Sequence, residues 1–201
     1  LKVYGYVKHQ LSVMVALELA PYGSLDGFLV DTASFPVLPR ALVIAWLCDI
    51  SGALEFVHSK RIKHRDVKAG NLLVFNQLQL KLCDFGLAKQ HFSSLGKSSS
   101  AVGTAPFMAP EIRNGERSEF ASDIFSLAMT AVQIIARRDP RVDDAAGQIK
   151  RSCRKLFDDS TSNDEVVAAR QQCEKLLLKC VKYSPGIHPN AIRPTAAYVP
   201  V

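Results

Sequence analysis

The sequence predicts an α+β chain in which a β hairpin is followed by a largely helical body. Three observations carry that expectation. Two short Val-rich runs, "LKVYGYV" and "LSVMVALEL", open the chain with "KHQ" between them, the pattern of two paired strands. Two longer segments, residues 40–59 and 122–135, repeat their large apolar side chains at mostly helical spacing. No internal repeat divides the 201 residues, a length that suits one domain or one large lobe plus a fragment of another.

Taken in order, "APYGSLDG" follows the hairpin and reads as a turn through Pro21, Gly23 and Gly27. After Pro39, the side chains Leu42, Val43, Trp46, Ile50, Ala53, Leu54 and Val57 mark a long buried helix over residues 40–59. "NLLVF" and "LQLKLCDF" read as two short strands around a turn at Asn76 and Gln77. Residues 88–104 are rich in Ser and Gly without periodicity and read as a mobile loop. Ser122 is the expected N-cap of the second apolar helix. "DPRVDD" is a linker, and residues 145–157 and 165–181 read as amphipathic helices joined by "DDSTSND". The chain closes on the Pro-rich "YSPGIHPNAIRPTAAYVPV".

Composition narrows the function classes. A hydrophobic share of 48% supplies a real core. The best apolar runs, 11–17 and 41–50, are shorter than a bilayer span, so no membrane segment is expected. "LKVYGYVKHQ" lacks the apolar stretch of a signal peptide and an initiator methionine, so the chain is expected to begin inside a longer protein. Cys48, Cys83, Cys153, Cys173 and Cys180 form no C-x-x-C pair. They fit a reducing intracellular, cytoplasmic setting, as a free protein or part of a larger one, and argue against a disulfide framework or a zinc site. The net charge of +6 is scattered. Its one cluster, "KRIKHR" at 60–65, reads as a solvated turn, so no nucleic-acid partner is expected. "GKS" at 96–98 resembles the tail of a phosphate-binding loop, but His91 stands where the first glycine belongs. His58, His91 and His188 have no metal-ligand spacing.

The chemistry concentrates in "HRDVKAGN", residues 64–71. His64-Arg65-Asp66 is followed by Asn71, then by Asp84-Phe85-Gly86, then by Ala109-Pro110-Glu111. In order and spacing these three motifs resemble the signature set of the protein kinases. The first alone arises by chance with a probability on the order of 10⁻³ in a chain of this length at average composition. The resemblance runs from the hairpin to "RPTA" and implies a protein-kinase-like fold. On that reading residues 1–20 are the last hairpin of the small lobe and the hinge. Residues 21–201 are the large lobe, with a catalytic loop at 64–71 and an activation segment at 84–111.

The resemblance also implies the site. Asp66 is the carboxylate that orients the attacking hydroxyl and accepts its proton, and Lys68 neutralises charge on the transferred phosphoryl group. Asn71 and Asp84 supply oxygen ligands to Mg²⁺. Glu18, Leu19 and Ala20 match the hinge that holds the adenine of ATP, Leu17 the gatekeeper and Leu73 part of the adenine floor. His64 is structural and packs beneath Phe85 in the core, ahead of Gly86. Arg65 is a pocket for a loop phosphate, with Ser100 the first choice of phosphosite and Ser98 and Ser99 the alternatives. Asp123 in "SDIFSLA" matches the aspartate that braces the catalytic loop, and Glu111 pairs with Arg193. Lys68 and the Gly103-Thr104 pair are similar to serine/threonine kinases. "ELAPYGSL", "GTAPFMAPE" and "RPTA" look most like the tyrosine-kinase-like group.

Other kinase parts are missing from these 201 residues. No G-x-G occurs, and neither Lys2 nor Lys8 leaves the roughly 20 residues or more that a helix and two strands need before the hinge. Two readings stay open. One is part of a serine/threonine kinase that uses ATP and Mg²⁺ on a protein substrate. The other is a non-enzymatic, kinase-like module that binds partners. Intact Asp66, Lys68, Asn71 and Asp84 favour the first; the oligomeric state is left open.

Overall fold

The computed structural model describes residues 1–10, 12–90, 103–116, 119–141, 143–157 and 164–182. Strands β1 (Val3–His9) and β2 (Ser12–Leu17) pair antiparallel, from Val3 opposite Leu17 to His9 opposite Ser12. Helices α1 (Leu25–Val30) and α2 (Arg40–Ser59) follow. Strand β3 (Ile62–Lys63) leads into the loop at 64–71, and β4 (Leu72–Val74) pairs with β5 (Leu80–Leu82). Strand β6 (Lys89–Gln90) returns to pair with β3. The helical remainder is α3 (Pro110–Arg113), α4 (Phe120–Ala136), α5 (Ala145–Phe157) and α6 (Asp164–Val181).

Helix α4 is the centre of the body. Between Ser122 and Ile135 only Ile124 is not buried, the condition of a helix apolar on every side. Helix α2 lies against it and buries Val43, Trp46, Ile50, Leu54 and Val57, a stripe with helical spacing. Trp46 is fully buried, and its indole N–H donates to the Leu78 carbonyl at 2.6 Å. That bond fastens the β4–β5 turn, where Gln77 and Leu78 take left-handed φ angles of 58° and 57°. Helices α5 and α6 cover another side of α4 through Ile149, Cys153 and Leu177.

The structure corrects several sequence expectations. "SLDGFLV" is a short helix and not only a turn: Leu25, Phe28 and Leu29 are buried at helical spacing. Ser122 is not the N-cap of α4; Glu119 is. The Glu119 carboxylate accepts from the backbone of the third helical residue, Ser122, whose hydroxyl accepts from the Glu119 N–H at 3.3 Å, so cap and third residue serve each other. The expected loop at 88–104 begins with β6; positions 91–102 lie outside the described residues. Helix α2 is long and apolar enough to cross a membrane by length and composition, contrary to the expectation of no such segment. The shorter run 41–50 omitted its second half. Its apolar stripe packs on α4 and the β4–β5 turn.

The hairpin is built differently from the body. Tyr4, Tyr6, Val7, Val13, Met14 and Val15 all stand exposed, with Tyr6 at 74%. Its base is held by the Glu18 N–H donating to the Lys2 carbonyl at 3.0 Å and by the Glu18 carboxylate on Lys81. A hairpin without a covered face has little to stabilise it beyond its own ladder. Amide hydrogen exchange should therefore be fast at Val13, Val15 and Tyr6 and slow by orders of magnitude at Leu127, Ala131 and Ile134 of α4. Equal protection in the two regions would contradict this reading.

Candidate active site

The loop at 64–71 is shaped from behind by α4. Asp123 is fully buried and accepts three hydrogen bonds. The His64 N–H donates to Oδ2 at 2.9 Å, the Arg65 N–H to Oδ1 at 2.8 Å, and His58 Nε2 lies 2.8 Å from Oδ2. These are the bonds to the two loop amides that the "SDIFSLA" motif leads one to expect. Arg65 has φ 74°, a left-handed conformation costly for a side chain of its size. The bond from its own N–H to Asp123 is what holds it there.

Three further α4 side chains continue the contact. Ser126 donates to the Phe107 carbonyl at 2.8 Å, Thr130 to Val67 O at 3.3 Å, and Gln133 Oε1 accepts from the Ala69 N–H at 3.0 Å. Asp123, Ser126, Thr130 and Gln133 are three, four and three residues apart, so they form one stripe. His64 is buried and doubly engaged. Its Nε2 faces the Cys83 carbonyl at 2.9 Å, and a carbonyl can only accept, so Nε2 carries the proton. Nδ1 is then the acceptor for the Asp66 N–H at 3.4 Å. Phe85 meets the His64 ring edge-on at 4.9 Å between centroids, but it is 43% exposed and not in the core as expected.

Asp66 sits where these constraints converge. Lys68 Nζ and the Asn71 amide donate to its Oδ2 at 2.8 and 2.9 Å. The Thr104 N–H and hydroxyl donate to its Oδ1 at 3.1 and 2.9 Å. Lys68 also donates to Thr104 Oγ1 at 2.6 Å, closing a ring of Asp66, Lys68 and Thr104. Burial pushes the Asp66 carboxyl up, but the bonds from Lys68, Thr104 and Asn71 outweigh it and hold it below the usual carboxylate range. Thr104 reaches this position because Gly103, at φ 126°, passes so close to the loop that a Cβ there would stand 2.8 Å from the Arg65 carbonyl. Asn71 also donates to the Asp66 carbonyl at 2.7 Å, so its amide nitrogen is committed and its oxygen is left for a cation.

Asp84 is exposed, has φ 58° and caps a 3-10 turn (Phe85–Leu87) by accepting from the Gly86 N–H at 3.2 Å. The Cys83 N–H donates to Asn71 O at 2.9 Å, which ties the strand before Asp84 to the end of the loop. The Asn71 oxygen and the Asp84 carboxylate are hard donors of the kind Mg²⁺ takes, so the residues fit that ion. Leu17 is 42% exposed, Glu18, Ala20 and Leu73 are half-buried, and Leu73 bridges to Ser24.

Sequence reasoning missed several partners. Lys81 Nζ lies 2.9 Å from both Glu18 oxygens and 4.2 Å from the centre of the Phe75 ring. The Lys81 bond, then the Lys2 N–H, lowers the Glu18 carboxyl below its ordinary value. The alternation of "LQLKL", which turns Lys81 away from buried Leu80 and Leu82, was the available signal. His58 was weighed only as a metal ligand; its Nδ1 is the one buried side-chain polar atom without a partner among the described residues. Glu111 is buried and accepts from the Ser122 hydroxyl at 3.0 Å. Its expected partner Arg193 lies outside the described residues, as do Ser98, Ser99 and Ser100. The Arg65 side chain is half-buried beside Met108, Ala109 and Ile112.

A helix-braced loop that presents Asp66 beside Lys68 and Asn71 is a design found in the protein kinases. The protein kinase domain family model matches residues 1–196, and the chain belongs to that family. It is 28% identical over 191 residues to mitogen-activated protein kinase kinase kinase 2 of Arabidopsis thaliana, covering 93% of this chain and 28% of that protein. A probable serine/threonine-protein kinase of Dictyostelium discoideum is 30% identical over 181 residues, covering 89% of this chain and 41% of the relative. Among solved structures, the CAK complex of Chaetomium thermophilum bound to ATP-gamma-S contains a chain 25% identical with a TM-score of 0.67. The match covers 89% of this chain and 64% of that one. The chain thus spans well under half the length of these curated relatives.

Two outcomes are expected. Asp123→Ala strands the His64 and Arg65 amides in the interior and should cost more than about 3 kcal/mol in denaturant unfolding; a loss below about 1 kcal/mol would contradict the bracing role. Because the folded Asp66 carboxyl titrates below its ordinary value, its contribution to stability is complete above that ordinary value. It is lost as pH falls through the lowered one. Lys68→Met removes a donor and a positive charge, so the Asp66 midpoint followed by carbon NMR should rise; an unchanged or lower midpoint would overturn the account.

Proposed function

We propose that the chain is the large-lobe part of a serine/threonine protein kinase that, in its complete parent protein, transfers the γ-phosphate of ATP to a protein hydroxyl. Residues 1–20 are the end of the small lobe and the hinge. Residues 21–201 are the large lobe, with the catalytic loop at 64–71 and the activation segment at 84–111. The observation that carries the reading is the Asp66 carboxylate with Lys68, Asn71 and Thr104 around it. The free thiols of all five cysteines support a reducing intracellular setting.

Asp66 orients the substrate hydroxyl and takes its proton. Its four acceptor directions are filled at rest, so one donor gives way as the hydroxyl arrives. Lys68, already bonded to Asp66 and Thr104, turns its remaining donor capacity toward the transferred phosphoryl oxygens. The Asn71 oxygen and Asp84 hold Mg²⁺, which when bound neutralises charge on the nucleotide phosphates. The backbone at Glu18 and Ala20, with Leu17 beside it and Leu73 beneath, holds the adenine. Thr104 joins Lys68 to Asp66 in a bridge that supports the serine/threonine assignment. Arg65 receives the charge of a phosphorylated loop serine, Ser100 first. Glu111 and Arg193 pair to tie the activation segment to the C-terminal part.

The test is transfer of labelled phosphate from Mg²⁺-ATP to a basic protein substrate. In the complete parent, Asp66→Asn should lower kcat by about 10²–10⁴-fold; an unchanged rate would overturn the assignment. The 201 residues alone should transfer poorly, since they contain no glycine-rich segment to cover the phosphates. Positioning supplies roughly 7–11 kcal/mol of such a barrier. Clear transfer by the chain alone, lost in Asp66→Asn, would show that the large lobe positions the nucleotide unaided.

A further inference from the structure

Helices α5 and α6 face each other through a pair of thiols that the kinase reading does not use. Cys153 of α5 is fully buried, and its thiol lies 4.0 Å from that of Cys173 on α6, which is only partly buried. Ala128, Ala131 and Val132 of α4 pack around the pair with Ile149 and Leu177, and Glu174 and Arg170 of α6 act on it by charge. We propose that Cys153 and Cys173 are a peroxide-sensitive pair that closes a reversible disulfide between α5 and α6.

The geometry assigns each sulfur its part. Cys173 is the less buried residue of the two, so it is assigned to meet the oxidant. The S–H of Cys153 points at it and stabilises its thiolate, which holds Cys173 below the ordinary thiol value. The same bond, reinforced by burial, pushes Cys153 up. Two facing thiols 4.0 Å apart, one of them lowered by the other, are the arrangement of a redox-sensitive pair. Cys180 does not compete, because burial pushes its thiol up to about 11 and it donates to the Leu176 carbonyl of its own helix.

The chemistry balances with hydrogen peroxide as the two-electron oxidant. The Cys173 thiolate attacks the O–O bond; an S–O bond forms, and the departing hydroxide takes up a proton to become water. Cys153, losing its proton, attacks the sulfur of that sulfenic acid. The S–S bond forms, the S–O bond breaks, and the second oxygen leaves as water. Two thiols and one peroxide become one disulfide and two waters. The sulfurs must close from 4.0 Å to about 2.05 Å, a movement within reach of side-chain rotation on facing helices. The bridge would lock α5 to α6 across a loop of 19 intervening residues, from 154 to 172, and leave the residues around Asp66 untouched.

The experiment treats the chain with hydrogen peroxide, alkylates the remaining free thiols and maps the peptides by mass spectrometry. The expected product joins Cys153 to Cys173 and reopens with dithiothreitol. Its unfolding midpoint should rise by about 5–10 °C and fall back on reduction. In Cys153→Ser, dimedone should trap the sulfenic acid at Cys173. The peptide map of the unsubstituted chain decides the matter even if that variant fails to fold. Both thiols staying alkylatable while exposed Cys48 is oxidised would overturn the proposal, as would Cys173 bonded to any other cysteine.

Discussion

One buried carboxylate sets the geometry on which the rest depends. Asp123 has no exposed surface and lies in a helix otherwise apolar on every side. A charge in that position is tolerated only if its acceptor sites are filled. The donors are His58 from the end of α2 and two consecutive amides from the loop that begins at His64. Satisfying Asp123 therefore decides where α2 ends, where the loop starts, and that Arg65 turns left-handed. The side chain after Arg65 is Asp66.

From that anchor the order spreads along one stripe of α4. Ser126 reaches the backbone at Phe107, Thr130 that at Val67, and Gln133 that at Ala69. The loop and the returning segment around Phe107 are thus fixed to the same helix from opposite ends. Asp66 and Thr104 meet because both sit on backbone that α4 holds. Gly103 permits the last approach, since the Arg65 carbonyl leaves no room for a Cβ. The site is rigid because its supports are buried hydrogen bonds to one helix rather than contacts among the reactive groups alone.

Much of this was legible in the sequence and some was not. The long helices over 40–59 and 145–157 follow from apolar spacing, and the structure places them at those bounds. Asp66 and Asn71 are found together because motif spacing encodes a loop whose shape is local, and the Gly103-Thr104 pair marked the segment that returns to it. Contacts that depend on which face meets which were not legible. His58 was weighed only as a metal ligand, yet it reaches Asp123 across 65 residues of sequence. The stripe Asp123, Ser126, Thr130, Gln133 was visible as polar residues at helical period in an apolar run, but only the docked loop gives it meaning. Helix α1 was read as a turn because Gly23 and Gly27 outweighed the spacing of Leu25, Phe28 and Leu29. The thiol pair was hidden for the same reason as His58: periodicity places Cys153 and Cys173 on helices without saying that those faces touch.

The two ends of the site are held by unequal means. The backbone of the Asp66 side is held chiefly by α4, through Asp123, Gln133 and Ser126. The hairpin side is joined through Glu18, whose carboxylate meets Lys81 in a partly exposed pair. Such a pair gains little in water and weakens further with salt. Lys81 lies on β5, two residues before Cys83, whose carbonyl receives His64 and whose N–H meets Asn71. The Glu18–Lys81 tether thus lands on the strand that also closes the loop at 64–71. A hairpin that moved would pull on that strand, while the loop itself stays anchored to α4. The Asp66 side of the site is therefore preorganised by α4 with little help from the hairpin, whose own faces stay exposed.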